Sequence, residues 1–329
     1  MNKLMTVAIA CAIAVSGMSG AFAASASIDK LTPDVVNDSG LTPALGEKAT
    51  GAAVLRAQVL LDRANFSTGE MDAVFGAKMR IAIAGFQKAN DLEPTGTTDE
   101  RTWAALNRDS APILTSYVIT DADVAGPFAP IPADMMDKAK LPALGYASAA
   151  EALGERFHVR PMLLQRLNRG KDLGRAGEEI VVPQVEPTAP LTRAAKVVVD
   201  KSDSTVSLVD ADGKTIAQFP ASTGSEHDPL PLGTWKIMGV AKNPVFHYNP
   251  ALFWDAESDQ AKATIPAGPN NPVGIVWIDL SKKHYGIHGT PEPRNIGKTE
   301  SHGCIRLTNW DAWLLSQSVR PGMPAILQE

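Results

Sequence analysis

The chain has 329 residues, of which 44% are hydrophobic and 20% charged, with 26 glycines and 24 prolines. This composition is that of a globular protein rather than a collagen-like or disordered one, and the length allows two or three domains. A net charge of −5 disfavours a protein that binds nucleic acid or an anionic membrane surface by broad electrostatic attraction.

The N-terminus predicts a secretory signal peptide at residues 1–23. Lys3 precedes an apolar stretch from Leu4 to Val15, and the motif Ala21-Phe22-Ala23 fits the small-residue cleavage rule. The apolar stretch is shorter than the roughly 20 residues that span a bilayer. No later segment is long and apolar enough, so we expect no transmembrane segment after cleavage.

Cleavage would remove Cys11 and leave Cys304 as the single cysteine of the exported chain. Exported compartments favour disulfides, so a lone thiol there is buried and inert, paired between chains, or kept because it is reactive. The residues near Cys304 in the sequence distinguish between these interpretations.

Residues 24–50 are rich in small and polar residues without periodicity and are expected to form a linker. Residues 51–109 then show apolar residues at helical spacing in three segments, with a turn at Gly69 to Asp72. The third segment places Trp103 and Leu106 on one face. The pattern predicts a compact three-helix domain.

Three strings in this domain carry a family resemblance. They are Gly69-Glu70-Met71-Asp72-Ala73-Val74-Phe75-Gly76, Ala82-Ile83-Ala84-Gly85-Phe86-Gln87 and Thr95-Gly96-Thr97-Thr98-Asp99-Glu100-Arg101-Thr102-Trp103-Ala104-Ala105-Leu106. Together they resemble the peptidoglycan-binding type 1 domain, with departures at Ala73, Met79 and Thr95. The resemblance implies attachment to the cell wall.

Residues 110–140 are rich in proline and are expected to form a connector. Residues 141–186 predict two helices followed by a short strand from Glu179 to Pro183. This segment resembles the second half of a lysin-motif (LysM) module. An unrelated helical spacer is the alternative.

From residue 195 to residue 329 the pattern changes to short β-strands, with Asp212-Gly213 as a hairpin signal. The predicted strands are Lys196–Asp200, Thr205–Asp210, Thr215–Ala221, Gly233–Val240 and Ile275–Leu280. A long aromatic connection containing Trp254 is expected to form a lid or a wall of the substrate site. Thr308 is expected to cap a C-terminal helix. The predicted fold class is therefore multidomain α+β, with a three-helix domain, a small α/β spacer and a mostly β C-terminal domain. This last domain is expected to be a β-sandwich with helices.

The residues that predict chemistry lie in two strings, His288-Gly289-Thr290 and Ser301-His302-Gly303-Cys304-Ile305-Arg306-Leu307. A nucleophilic thiol needs a nearby imidazole to take its proton. The amides of Gly303 and Cys304 are candidates to stabilise an oxyanion. The pattern favours acyl transfer over an inert thiol, and a metal site is disfavoured because one cysteine and two histidines are too few for a structural zinc site.

The two strings resemble the signature of the L,D-transpeptidase catalytic domain, and the resemblance extends from Lys196 to Leu327. Further strings that carry it are Ser222-Thr223-Gly224, Pro229-Leu230-Pro231-Leu232-Gly233-Thr234-Trp235, Gly268-Pro269-Asn270-Asn271-Pro272-Val273-Gly274 and Trp277.

The resemblance implies that Cys304 is the nucleophile and His288 its general base, oriented by the carbonyl of Gly289. It implies that Gly303 shapes the catalytic centre. The expected substrate-binding residues are Ser301, His302, Arg306 and Trp254. For Arg306, a purely structural ion pair is the alternative.

The resemblance implies an exported, periplasmic, wall-associated enzyme that attacks peptidoglycan stem tetrapeptides, releases D-alanine and forms a thioester, without cofactor or metal. The acceptor is a diaminopimelate amine, a lysine of an envelope protein, or water. The alternatives are a hydrolase of the same fold, an L,D-carboxypeptidase or amidase, and a non-enzymatic wall-binding protein.

Overall fold

The computed structural model describes residues 30–187, 191–254, 256–257, 259–298 and 303–329. The predicted signal peptide, Ser301 and His302 lie outside the described residues. The chain divides into an N-terminal region, residues 30–187, with its own hydrophobic core, and a β-rich C-terminal region with a second core. We refer to these as the N-terminal region and the catalytic region, the latter after the catalytic domain that the sequence predicts there.

Helices form the first half of the N-terminal region. They are α1 (Pro33–Val36), α2 (Ala52–Arg63), α3 (Ala77–Ala89) and α4 (Glu100–Leu106). Every residue of α2 is buried, because the other elements pack around it. The side chain of Asp99 accepts a hydrogen bond from the Thr102 amide and caps α4, and the Trp103 indole donates to the Pro43 carbonyl at 2.7 Å. Helices α2, α3 and α4 confirm the predicted three-helix arrangement.

The segment predicted to be a linker is packed from residue 30 onward. Val36 and Leu45 are buried in the core that α2 dominates. The Asn37 side chain accepts hydrogen bonds from the amides of Ile113 and Leu114, both at 2.8 Å. Apolar residues without periodic spacing can therefore still contribute to a core when they cover one side of a helix.

Two strands with four helices between them complete the N-terminal region. Its elements are β1 (Leu114–Val118), α5 (Asp121–Val124), α6 (Met135–Lys138), α7 (Ala149–Arg156), α8 (Pro161–Leu167) and β2 (Glu179–Pro183). Strand β1 pairs antiparallel with β2, with Ser116 opposite Val181. The interpretation of residues 110–140 as a plain connector is thus corrected, because this segment supplies β1 and two short helices.

The catalytic region is built on a large, mostly antiparallel sheet. Its strands are β3 (Lys196–Asp200), β4 (Thr205–Val209), β5 (Thr215–Pro220), β6 (Ser222–Thr223), β7 (Gly233–Lys242), β10 (Val276–Leu280), β11 (Gly286–His288), β12 (Ile305–Arg306) and β13 (Pro324–Gln328), with β8 (Phe246–Tyr248) and β9 (Ala263–Ile265) forming a separate hairpin. Within the described chain the order in the large sheet is β5-β4-β3-β13-β7-β10-β11-β12-β6. The predicted strands are confirmed.

Helix α9 (Asn309–Ser318) packs on the sheet against β10 and β11. Thr308 is its N-cap, and the Thr308 hydroxyl accepts a hydrogen bond from the Asp311 amide at 3.1 Å. This confirms the predicted cap. It also fixes Asn309, the first residue of the helix, directly behind the end of β11.

The two regions are joined through the edge of the sheet. Phe66 forms a parallel bridge with Gln218 of the edge strand β5. The Ser67 amide donates to the Gln218 carbonyl at 2.9 Å, and the Gln218 amide donates to the Asn65 carbonyl at 2.8 Å. Covering a sheet edge in this way satisfies its backbone groups and fixes the N-terminal region on the catalytic region.

Among the described residues, no helix has the length and apolar character needed to cross a membrane.

Candidate active site

Two neighbouring strands bring the predicted nucleophile and base into one cleft. His288 ends β11, and Cys304 immediately precedes β12. The strands pair in parallel, with Ile287 opposite Ile305 and His288 opposite Arg306. Because of this register, Cys304, His288 and Arg306 all line the same cleft although 16 residues separate the thiol from the imidazole in sequence.

The imidazole of His288 is buried and held in one tautomer. Its Nδ1 atom lies 2.7 Å from the carbonyl oxygen of Gly289. A carbonyl oxygen only accepts hydrogen bonds, so Nδ1 carries the proton and Nε2 keeps a free lone pair. Burial lowers the pKa of His288 to about 4, and the nearby charge of Arg306 acts in the same direction. His288 is therefore neutral at pH 7 and able to accept a proton.

The indole of Trp277 stacks on His288. The ring centroids are 5.4 Å apart and the planes make an angle of 16°. Gly286 makes room for this ring, because a Cβ atom at that position would lie 2.5 Å from the indole. Residue patterns alone give Trp277 no role beside His288, since the contact joins two strands, β10 and β11, that pair only in the folded sheet.

Cys304 is half-buried at the base of the cleft. Its Sγ atom lies 3.7 Å from the carbonyl oxygen of His284, to which the thiol donates. Burial raises the pKa of Cys304, against the opposing effects of a hydrogen bond from the Gly286 backbone and of Arg306. Cys304 and His288 therefore start as a neutral thiol and a neutral imidazole.

Gly303 has a backbone that only glycine adopts easily. Its φ angle is +88°. A Cβ atom there would lie 2.7 Å from the Tyr285 ring. The absence of a side chain thus allows the backbone before Cys304 to pass under Tyr285.

The cleft has a volume of about 1380 Å³. One wall is formed by the β8–β9 hairpin and the described residues between its strands, with Phe246, Tyr248 and Phe253. The adjoining wall comes from the N-terminal region, where Met135 and Met136 of α6 pack on the hairpin. No sequence pattern indicated this second contribution, because α6 lies in the proline-rich segment.

The predicted substrate-binding residues have different placements. Arg306 lines the cleft beside Cys304. Trp254 is 61% exposed, and its ring centroid lies 4.5 Å from that of His227. The described cleft lining includes Leu252 and Phe253 but not Trp254. Ser301 and His302 fall in the part of the chain that is not described.

The described residues contain no group of three or more histidine, cysteine, aspartate or glutamate side chains that could hold a metal ion. The cleft combines a thiol, a neutral imidazole and a guanidinium group. This set of groups is suited to nucleophilic chemistry at a carbonyl.

Two family matches agree with the division into regions. Residues 194–327 match the family described as "L,D-transpeptidase catalytic domain". Residues 50–106 match the family described as "Putative peptidoglycan binding domain". The catalytic match covers the sheet, Cys304 and His288, and the second match covers helices α2 to α4.

Curated proteins with similar sequences carry related names. "Putative L,D-transpeptidase YkuD" of Bacillus licheniformis is 29% identical over 52% of this chain and 88% of its own length. "Probable L,D-transpeptidase ErfK/SrfK" of Escherichia coli is 30% identical over 47% of this chain and 51% of its own length. A crystal structure of L,D-transpeptidase 3 from Mycobacterium tuberculosis aligns with 47% of this chain and 75% of that chain, at 18% identity and a TM-score of 0.35.

Proposed function

We propose that the chain is an exported cysteine L,D-transpeptidase of peptidoglycan, from the premise that residues 194–327 match the L,D-transpeptidase catalytic domain family. The observation that carries the proposal is the placement of His288 and Cys304 in one cleft, with the Nδ1 atom of His288 at the Gly289 carbonyl. The donor substrate is a stem tetrapeptide that ends in D-alanine.

In the first step the sulfur of Cys304 attacks the carbonyl carbon of the third residue of the stem. Nε2 of His288 takes the thiol proton as the carbon–sulfur bond forms. The backbone amides of Gly303 and Cys304 are the proposed donors to the oxyanion. When the carbon–nitrogen bond breaks, His288 returns the proton to the departing amine, so free D-alanine and a thioester result.

In the second step an acceptor amine attacks the thioester. His288 takes a proton from the attacking nitrogen and returns it to the sulfur as the carbon–sulfur bond breaks, which restores the thiol and the neutral imidazole. The thioester retains enough of the reactivity of the donor to form a new amide without a nucleotide. An amine of a second stem gives a cross-link between two third residues, and a lysine of an envelope protein gives a wall-anchored protein.

The N-terminal region is proposed to hold the enzyme on its polymeric substrate. Residues 50–106 match a peptidoglycan-binding family, and these residues are fixed to the catalytic region through Phe66 and Gln218. Attachment to the polymer raises the local concentration of stem peptides at the cleft. Together with the predicted signal peptide, this supports a periplasmic, wall-associated location.

The function is tested by incubating purified residues 24–329 with sacculi rich in tetrapeptide stems and analysing the muropeptides by mass spectrometry. The proposal expects dimers joined between two third residues, and none with the Cys304→Ala variant. Tripeptides without dimers would favour the hydrolase of the same fold, or a protein acceptor absent from the assay. Intact tetrapeptides would contradict the proposal.

A further inference from the structure

We propose that Glu155, which lies in the N-terminal region, is a positioning residue for His288 and acts through Asn309 and Gly289. This inference rests on the proposed function, because it takes His288 as the general base. The catalytic region is then complete only when the N-terminal region is docked on it.

The first step is a buried contact between the two regions. Both carboxylate oxygens of Glu155 accept from the Nδ2 atom of Asn309, at 3.1 and 3.0 Å. Glu155 belongs to α7, and Asn309 is the first residue of α9 and fully buried. The Asn309 amide also donates to the Pro269 carbonyl at 3.1 Å. Glu155 and Pro269 thus fix the plane of the Asn309 side chain.

The second step links Asn309 to the backbone that orients the base. Its Oδ1 atom accepts from the Ile275 amide at 3.2 Å. The same oxygen occupies the space where a Cβ atom of Gly274 or Gly289 would lie, at 2.0 and 2.2 Å from those positions. Asn309 is therefore packed directly against Gly289, whose carbonyl oxygen holds Nδ1 of His288.

The third step is the consequence of removing Glu155. A buried amide that loses its acceptor is left with an unpaired donor, which is unfavourable, so the side chain turns or shifts to find another partner. Any such movement displaces the oxygen that packs on Gly289. The Gly289 carbonyl then no longer holds His288 in one tautomer.

A second acidic residue on the same helix provides a matched control. Glu151 also reaches across the interface, where it accepts from the Asn270 side chain at 2.9 Å. No hydrogen bond among the described residues joins Glu151 to Asn309. Loss of Glu151 weakens the contact between the regions without removing a partner of Asn309.

The experiment compares Glu155→Met, Glu155→Gln and Glu151→Met in the chain of residues 24–329. Methionine keeps the length of the side chain but has no strong acceptor, whereas glutamine keeps one acceptor oxygen. Thermal unfolding verifies that each variant is folded. The measurements are kcat and KM for a tetrapeptide stem, together with the ¹⁵N NMR signals of the His288 ring, assigned with a His288→Gln variant.

We expect Glu155→Met to lower kcat by about tenfold or more with little change in KM, since a misplacement of about 1 Å can cost roughly a hundredfold in rate. Its NMR signals should show that the proton is no longer fixed on Nδ1. Glu155→Gln should retain most of the wild-type kcat, and Glu151→Met should resemble the wild type in both measurements.

Equal loss of kcat in Glu155→Met and Glu151→Met, or the wild-type tautomer in Glu155→Met, would overturn the proposal. The NMR measurement needs no substrate. If the wild-type chain fails to process tetrapeptides, the proposed function fails, while the tautomer of His288 in the variants still decides the role of Glu155.

Discussion

The indole of Trp277 lies nearly parallel to the imidazole of His288, with 5.4 Å between the ring centroids. This ring covers one face of the base and contributes to its burial, and burial is the main cause of its low pKa. The stacking depends on Gly286, because a side chain at this position would occupy the space of the Trp277 ring.

Replacing Gly286 with alanine is expected to displace Trp277 and lower kcat by about tenfold or more, because small displacements at a catalytic base are costly. A Cβ atom there would lie 2.5 Å from the indole. The matched control is Gly239→Ala in β7, where a Cβ atom meets nothing within 4 Å. Steady-state kinetics with a tetrapeptide stem would measure the effect, and equal rates in the two variants would argue against a role for the stacking.

Gly303→Ala is expected to abolish most of the activity. The left-handed backbone costs any L-residue about 1–2 kcal/mol, and the new methyl group would also press on Tyr285. Gly322→Ala separates the two effects, because its φ angle of +86° is almost the same but its surroundings are open. Both variants should lose stability in thermal unfolding, and only Gly303→Ala should lose its turnover.

The pH dependence of kcat/KM is expected to follow the low pKa of His288. The base must be neutral to accept the thiol proton, and burial lowers its pKa to about 4. Activity should therefore be retained as the pH falls through 6.5 and be lost only near pH 4. Circular dichroism at each pH would verify that the fold persists, and an acid limb centred near 6.5 would show that His288 is solvated in the working enzyme.

Alkylation by iodoacetamide should show that Cys304 is a thiol in the resting enzyme. Burial raises the pKa of Cys304, so little thiolate exists at pH 7. The alkylation rate, followed by intact mass, should rise steadily with pH through the alkaline range. A rate that is constant from pH 6 upward would instead indicate a thiolate–imidazolium pair.

The sequence predicts what depends on neighbours along the chain. A run of three valines predicted the strand Lys196–Asp200 at its observed bounds, and Thr308 predicted the start of α9. Two short strings predicted that Cys304 and His288 share a site, and both residues line one cleft. Family resemblance supplied the expected orientation of His288 by Gly289.

Features that join distant segments were not predictable in the same way. Strand β1 lies in a proline-rich segment and is stabilised by a partner strand about 60 residues later. Glu155 and Asn309 are 154 positions apart, and nothing near either residue indicates the other. The aromatic character of Trp254 suggested a cleft wall, whereas the described lining places Phe253 there. Periodicity reports which face of an element is buried, but not what covers that face.

The most direct test of the central claim is the intact mass of the enzyme during turnover of a tetrapeptide stem. The account predicts an adduct on Cys304 whose mass equals that of the free tripeptide stem minus one water. It also predicts the release of free D-alanine. The Cys304→Ala variant should form no adduct and release no D-alanine. Release of D-alanine by that variant, or turnover by the wild type without any thioester on Cys304 under rapid quenching, would contradict the account.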